Sequence, residues 1–498
     1  MLNMSPRPNR SILEPVQDEA AVARLEARLA SRPGTIVLGS SMKDPVRGRY
    51  SFLAADPFLT FSSRGSHCEW QTSKGTWSQF GNPWRVLENQ LQRYEVLDEI
   101  DIPFPTGGCF GFCGYGLRYF VEPKLPRKPA PERLLPDCWF GFYDSLVVCD
   151  HQLHKSWIIT TGLDLEGARS WDRAVQQADK WRRWLNQEPA AVAVDPRPAG
   201  RTGQEDASEP TAPSSEVCSN LTRGQFIEAV LSAKQLIQSG DIYQVNLSQR
   251  LRTRQRASSW DFYQTLCTST PAPYAAFINT GRAQIVSSSP ELFLRLSGDH
   301  VLTRPIKGTR PRSNDPTQDA QLTYQLQTSP KEMAELVMIT DLLRNDLGRV
   351  CQYGTVQVPE LVRLERFAHV QHLVSTIEGR LRPDQTHFSA LASMFPGGSI
   401  TGAPKFRAME VIDELEPHDR GAYTGTAGYI GFNRESQMNI LIRTATCAEG
   451  EISFHVGAGI VADSDPDAEY DETWAKARGF LEAMQTLPLK THAHVSQR

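Results

Sequence analysis

The sequence predicts an α+β protein built from antiparallel hairpins. Short apolar runs bounded by turn residues follow one another closely, among them Ala283-Gln-Ile-Val-Ser287, Leu292-Phe-Leu-Arg-Leu296 and Val301-Leu-Thr-Arg-Pro-Ile306, as the strands of hairpins do. Helical stripes interrupt them irregularly rather than once per strand, which disfavours repeated strand–helix–strand units. A chain of 498 residues with 40% hydrophobic content has material for a large core and for two or three ordinary domains.

Taken in order, residues 1–30 read as an extension and a first helix over Val16–Leu29. Residues 31–186 form an N-terminal domain, with strands at Thr35–Gly39 and Ser145–Asp150 and helices near Trp84–Tyr94 and Leu165–Leu185. The stretch 187–219 is rich in Pro, Ala, Ser and Gly without periodicity, the composition of a linker or exposed insertion. A second unit then starts: Thr222 and Gln225 make a capping box, and Phe226, Val230 and Ile237 supply an apolar stripe. This domain runs over 220–488, with a tail at 489–498, and no repeat of fixed period is present.

Bulk properties exclude several classes of function. With 53 basic and 57 acidic residues the net charge is −4, so no global field favours nucleic acid or an anionic membrane. No apolar run approaches the ~20 residues of a membrane span, and the N-terminus lacks the apolar core of a secretory signal; a cytoplasmic protein is expected. The nine cysteines are scattered without C-x-x-C spacing, which fits reduced core thiols rather than disulfides or a zinc site.

Chemistry is concentrated in two Glu-x-x-Glu pairs, Glu332 with Glu335 and Glu469 with Glu472. Each sits just inside a predicted helix start, marked by Ser329-Pro330 in one case and Asp465-Pro466 in the other. Three-residue spacing puts both carboxylates of a pair on one helical face. If the two faces converge, the repulsion calls for a cation, and oxygen-only ligands favour a hard ion such as Mg²⁺. Either pair alone would also serve simply to complement its helix dipole, with Glu332 closing a capping box on Ser329.

Three glycine-rich stretches invite other readings. Gly107-Gly-Cys-Phe-Gly111 fits a nucleophile elbow with Cys109 as the thiol, but no base follows at a plausible distance, and a tight β-turn region is expected instead. Gly397–Lys405 lacks the contiguity of a phosphate loop, and Pro404 removes a needed N–H. Gly457, Ala458 and Gly459 could offer clustered backbone N–H groups to one carboxylate.

Together these residues resemble the chorismate-utilising enzymes, the family of anthranilate, aminodeoxychorismate, isochorismate and salicylate synthases. The resemblance rests on Gly240-Asp-Ile-Tyr-Gln-Val-Asn-Leu-Ser248, Ser287–Phe293, Pro305-Ile-Lys-Gly-Thr-Arg310, Lys331–Arg349, Val370–Ser375, Pro396–Lys405, Leu441–Thr444, Val456–Pro466 and Glu469–Thr473, in family order. The N-terminal half is more weakly similar, through Arg49–Pro57, Gly107–Gly116 and Leu135–Asp144. The resemblance implies an anthranilate synthase component I-like fold: antiparallel β-sheets packed as a sandwich with helices outside and the two halves interlocked.

It also implies roles. Mg²⁺ on Glu335 and Glu472, supported by Glu332 and Glu469, would hold the ring carboxylate of chorismate. Arg443 and the N–H groups of Gly457, Ala458 and Gly459 would take the enolpyruvyl carboxylate, with Thr309, Thr401, Tyr429 and Lys476 as further substrate contacts. Glu291 would be the general acid for the departing C4 hydroxyl, a task requiring burial and a raised pKa. Lys307 resembles the nucleophilic lysine of one group of aminodeoxychorismate synthases, where anthranilate synthases typically carry alanine. Gln244 stands where isochorismate and salicylate synthases carry a basic lysine, and a neutral amide cannot activate water. His372 resembles the histidine with which anthranilate synthases aromatise their product, so that reading stays open, as does a non-catalytic homologue. No glutaminase domain is present, so a partner glutamine amidotransferase subunit is expected to supply ammonia. Some family members hold tryptophan at sites resembled here by Ser40, Ser51, Pro273 and Tyr274, although Gly39 replaces a glutamate of the feedback-regulated ones.

Overall fold

The computed structural model describes residues 10–42, 48–99, 101–127, 135–187, 217–367 and 370–487. Most of the expected linker and all of the 489–498 tail lie outside these residues. The described chain forms two sheets of 12 strands each, and every pair between named strands is antiparallel.

Each sheet is assembled from both halves of the sequence. In the first, Ile12–Val16, Lys155–Thr160, Ser145–Asp150, Tyr50–Ala54 and Ile36–Gly39 are continued by Tyr274–Asn279, Gln284–Ser289, Thr444–Ala448, Glu451–Ile460 and Gln244–Arg254. In the second, Ile306–Pro311, Val370–Arg380, His300–Arg304, Leu292–Ser297, Glu435–Ile440 and Thr426–Gly431 are continued by Gly108–Cys113, Cys138–Tyr143 and Leu59–Arg64. The joins are ordinary ladders, with Leu38 opposite Ala276 in one and Gly111 opposite Gly428 in the other.

Alternating side chains then sort to opposite faces. Ile36, Phe52, Val148 and Ile285 of the first sheet meet Phe110, Phe112, Trp139 and Tyr429 of the second in one buried layer. The other face of the first sheet, with Val37, Leu53 and Phe454, is covered by helical Val22, Leu25, Trp181 and Phe480. Helical Trp84, Leu87, Ile339 and Leu343 cover the second sheet in the same way. The fold is a sandwich with helices outside.

Local expectations fail where capping or pairing intervenes. The first helix starts at Glu19, because the Asp18 side chain accepts from the Ala20 N–H and Ile12–Val16 pairs as a strand. The helix expected from Leu165 begins at Trp171, after a turn with Gly167 at φ +85°. Residues 108–113 are a fully buried strand rather than a turn region; a Cβ at Gly111 would stand 2.0 Å from the Trp139 carbonyl oxygen, so close strand approach explains that glycine. Cys109 lies inside this strand with its thiol pKa pushed well up by burial. All nine cysteines are free, and among the described residues no helix is long and apolar enough to cross a membrane.

The halves are also joined by a buried ion pair, Arg118 to Asp413 at 2.5 Å, with side chains 2% and 9% exposed. Asp413→Ala would strand the Arg118 charge in the interior and should cost about 3–5 kcal/mol, read as a lower urea midpoint; an unchanged midpoint would show that Tyr115 and Tyr119, stacked on the guanidinium at 4.1 Å, suffice to hold it.

Candidate active site

Two helix starts and one bulged strand build the site. Ser329 accepts from the Glu332 N–H and Asp465 from the Ala468 N–H, with Pro330 and Pro466 opening the helices Pro330–Gly348 and Pro466–Gln485. The capping box on Ser329 is only half formed, because the Glu332 carboxylate faces Arg310 at 3.2 Å. That frees the glutamate from its merely local role. On the strand Ile306–Pro311, register slips between Lys307 and Thr309. Gly308 sits there at φ +71°, and a Cβ on it would come within 2.8 Å of Leu326 Cδ1 and 3.1 Å of Glu332 Oε2. The bulge re-aims Lys307 toward the helix start, as bulges do beside sites.

Lys307 is 14% exposed, its Nζ 3.5 Å from Glu335 Oε2. Each of the four glutamates has a cation beside it: Arg310 at Glu332, Lys307 at Glu335, Lys331 at Glu469 (3.5 Å) and Lys476 at Glu472 (2.7 Å). Burial raises the pKa of Glu335 against the pull of Lys307 and Lys331. For Glu472 burial is outweighed by the Lys476 ammonium, which holds the carboxyl below its usual range, again with help from Lys331 and Lys307. Glu335 and Glu472 therefore share the field of the same two lysines. Glu469 is buried and accepts from Ser464 Oγ at 2.6 Å. Among the described residues no three metal-ligating side chains form a ready-made cluster. The donor chemistry nevertheless fits a hard cation, which would join the lysines as counter-charge.

Glu291 is buried and its pKa is pushed up to about 7, against the opposing effects of the Ser399 hydroxyl and the Lys307 charge. Ser399 Oγ donates to Glu291 Oε1 at 2.6 Å. Both properties required of an acid at this position are present. Gln244 is buried, its Oε1 lacking a hydrogen-bond partner, and its Nε2 would be 2.5 Å from a Gly459 Cβ, with Lys307 Nζ 3.7 Å from the same point.

Gly457 and Gly459 lie within the strand Glu451–Ile460 opposite Ser248 and Asn246, so they form a side-chain-free floor in a regular ladder rather than an N–H nest. Ala458, expected to offer its backbone N–H, directs its side chain away from the site. It is fully buried opposite Leu247, its methyl packed with Val245, Leu247 and Ile460 in the hydrophobic core. Alternation along the strand turns it to the face away from the two glycines. Lys476 Nζ donates to the Gly457 carbonyl at 2.8 Å.

Arg443 adopts φ +49° and lines a cavity of ≈250 Å³ with Lys476, Thr270 and Pro271. Burial lowers its pKa, with no carboxylate to oppose the shift, leaving a guanidinium available for an anion. His372 is buried beside the same strand as Lys307, with Nδ1 2.8 Å from Thr309 Oγ1.

Other expected residues go elsewhere. Thr401 is fully buried and donates to the Gly397 carbonyl, closing its own loop. Tyr429 packs on Phe52 and Phe110 beside Pro273 and Tyr274, where the cavity is only ≈20 Å³, room for about one water. Ser40 donates to the Met42 carbonyl and Ser51 is bonded to His151 Nε2 at 2.6 Å, so the expected tryptophan contacts are already engaged. Two residues were not anticipated. Ser399 reaches Glu291, and Tyr423 brings its Oη to 2.9 Å from a Gly457 Cβ position while stacking on His455. No spacing signal marks either. Lys405, of the apparent phosphate loop, is paired with Asp346 at 2.6 Å.

The model of the family described as chorismate binding enzyme matches residues 49–482. The chain belongs to the chorismate-binding enzymes. It is 40% identical over 478 residues to the anthranilate synthase component 1 of Synechocystis sp., covering 92% of each chain. It is likewise 40% identical over 440 residues to the aminodeoxychorismate synthase component 1 of Salmonella typhimurium, covering 88% of this chain and 90% of that one. Among solved structures, anthranilate synthase component I from Streptococcus pneumoniae superposes with a TM-score of 0.73 at 29% identity, covering 87% of this chain and 92% of that one. The fold is that α+β fold, and the family acts on chorismate.

A carboxyl with a pKa of about 7 is protonated below that pH and lost as an acid above it. Chorismate consumption should therefore fall as pH rises through 7. Ser399→Ala removes a bond to the ionised form and should move this limb upward by about one pH unit, whereas Glu291→Gln should remove the limb with most of the rate; a pH–rate profile unchanged by both would dissociate Glu291 from proton transfer.

Proposed function

We propose that this chain is an aminodeoxychorismate synthase component 1, aminating chorismate at C4 with ammonia from a partner glutaminase subunit. The observation that supports this most is the position of Lys307: a largely buried primary amine, beside Glu335, over the glycine floor and within the electrostatic reach of the protonatable Glu291. Arg443 binds the enolpyruvyl carboxylate. Lys307 attacks C2 while the allylic C4–O bond breaks, and Glu291 gives its proton to the departing hydroxyl, which leaves as water. Ammonia then attacks C4, the C2–N bond breaks, and Lys307 is released. The sum is chorismate plus ammonia giving 4-amino-4-deoxychorismate plus water. Glu335 and Glu472, with Glu332 and Glu469 in support, would hold Mg²⁺, which when bound would supply Lewis-acid polarisation of the ring carboxylate. Gln244, a neutral amide, supplies no base for water addition, which supports amination over hydroxylation.

One observation favours a second reading, anthranilate synthase component 1. His372 pairs with Thr309, next to the pair of Lys307 with Leu373, where it could take a ring proton.

With chorismate, Mg²⁺ and ammonium, mass spectrometry should find an amino product retaining the enolpyruvyl group, converted to p-aminobenzoate only when aminodeoxychorismate lyase is added. Direct release of anthranilate would establish the second reading. Lys307→Ala should lower amination by at least about a hundredfold and abolish the covalent adduct trapped when ammonium is withheld; full activity without an adduct would sink the lysine mechanism. Glu335→Gln or Glu472→Gln should raise the Mg²⁺ concentration for half-maximal rate by about tenfold or more, measured by titrating the metal.

A further inference from the structure

Beyond the glycine floor, the same face of the first sheet borders a larger cavity of ≈570 Å³. The strands Gln244–Arg254 and Glu451–Ile460 pair Asn246 with Gly459, Ser248 with Gly457, Arg250 with His455 and Arg252 with Ser453. Residues facing each other in an antiparallel pair share a face, so this side of the ladder runs from the chorismate site into the cavity. Arg250, Arg252, Ser453 and His455 line one wall; Tyr115, Arg118 and Tyr119 come from the N-terminal half.

Three polar atoms in these walls are buried without a hydrogen-bond partner: Tyr115 Oη, Arg118 Nε and Arg250 Nε. Tyr115 and Arg118 are only 1% and 2% exposed. All three can donate. Arg118 and Arg420 are already neutralised by Asp413 and Glu416, at 2.5 and 2.6 Å, whereas Arg250 has no carboxylate in ion-pair contact among the described residues; burial and Arg252 lower its pKa, opposed through the field by Glu451 and Asp419, which line the same cavity. Glu449 and Glu451 stay exposed at the rim. Orphaned donors and an unmatched guanidinium are costly unless an acceptor anion satisfies them. The Tyr423–His455 stack, at 5.1 Å between ring centres and 11° between planes, supplies a flat wall suited to a planar ring.

We propose that this cavity binds a small aromatic carboxylate, its anionic end on Arg250 and Tyr115 and its ring against the Tyr423–His455 wall, and that occupancy lowers turnover at the chorismate site. The route is a hydrogen-bonded one. Glu416 accepts from the N–H and Oγ of Ser248, opposite Gly457. Arg420, clamped to Glu416, donates to the carbonyls of Asn246 and Ile400, and Ile400 follows Ser399, the partner of Glu291. A second carboxylate near Arg420 competes with Glu416 and loosens both holds. The binding claim stands on the cavity alone; the effect on turnover rests on the proposed function.

Calorimetric titration of the full-length protein with benzoate, 4-aminobenzoate and the neutral isostere benzamide tests the binding. Saturable binding of the carboxylates but not the amide, retained in Lys307→Ala and weakened about tenfold or more in Arg250→Gln and in Tyr115→Phe, is the expected result. No binding, binding displaced by chorismate, or binding indifferent to both substitutions overturns it. Ammonium-dependent chorismate consumption tests the effect: the carboxylates should inhibit non-competitively, and Arg250→Gln should keep the uninhibited rate while losing the inhibition. Tight binding with no change in rate overturns the effector role, and it does so even if the product proves to be anthranilate.

Discussion

Everything in this molecule depends on strand pairing between the two halves of the chain. Neither sheet closes its core alone: Ile36–Gly39 needs Tyr274–Asn279, and Gly108–Cys113 needs Thr426–Gly431. The buried layer between the sheets draws on both halves too, with Phe110 and Tyr143 packed among Ile278, Ile285 and Tyr429. That rigid sandwich allows the functional groups to come from loops, a bulge and two helix starts that are remote in sequence. Lys307, Glu335, Glu291 and Gly459 converge because their supporting strands and helices are fixed by burial.

The electrostatics of the site divide into charges already balanced and charges held open. Four carboxylates are each matched by a cation, Lys307, Lys331, Lys476 or Arg310, which offsets the repulsion within each pair. Glu291 stands apart, desolvated, with its pKa near 7. Arg443 is the complementary case, a partly buried cation whose lowered pKa no carboxylate opposes. On the proposed function, a substrate carrying two carboxylates and a leaving hydroxyl would meet a complementary arrangement: an open cation, a protonatable acid and a primary amine.

Much of this was legible from the sequence because the signals are local. Ser329-Pro330 and Asp465-Pro466 mark helix starts through capping and a missing N–H, and three-residue spacing fixes which way Glu332, Glu335, Glu469 and Glu472 project. Resemblance singled out Lys307 and Glu291, which the fold brings within electrostatic range of each other. It carries no sign that Thr401 turns back on the Gly397 carbonyl, that Tyr429 packs on Phe52 and Phe110, or that strand alternation turns the Ala458 methyl into the core. In the loop around Gly398 the choice between Ser399 and Thr401 depends on which hydroxyl the backbone folds back upon. Tyr423 and Tyr429 are both buried aromatics in one segment, and only the turn into the strand Thr426–Gly431 decides which faces the glycine floor. The buried, unpartnered Arg250 Nε and Tyr115 Oη beside a cavity have no sequence signature, since partners remote in sequence decide them.

Arg443 holds its guanidinium in place with a left-handed backbone at φ +49°, a conformation that glycine adopts freely and that costs other residues roughly 1–2 kcal/mol. Together with the partly buried charge, which no carboxylate opposes, this makes the position one where selection for thermal robustness and selection for the proposed role pull in opposite directions. A stabilisation screen scored only by melting temperature would favour Arg443→Gly and discard the one guanidinium that, on the proposed function, would meet the substrate's anion. Durability in this protein is limited at the point where it is most useful.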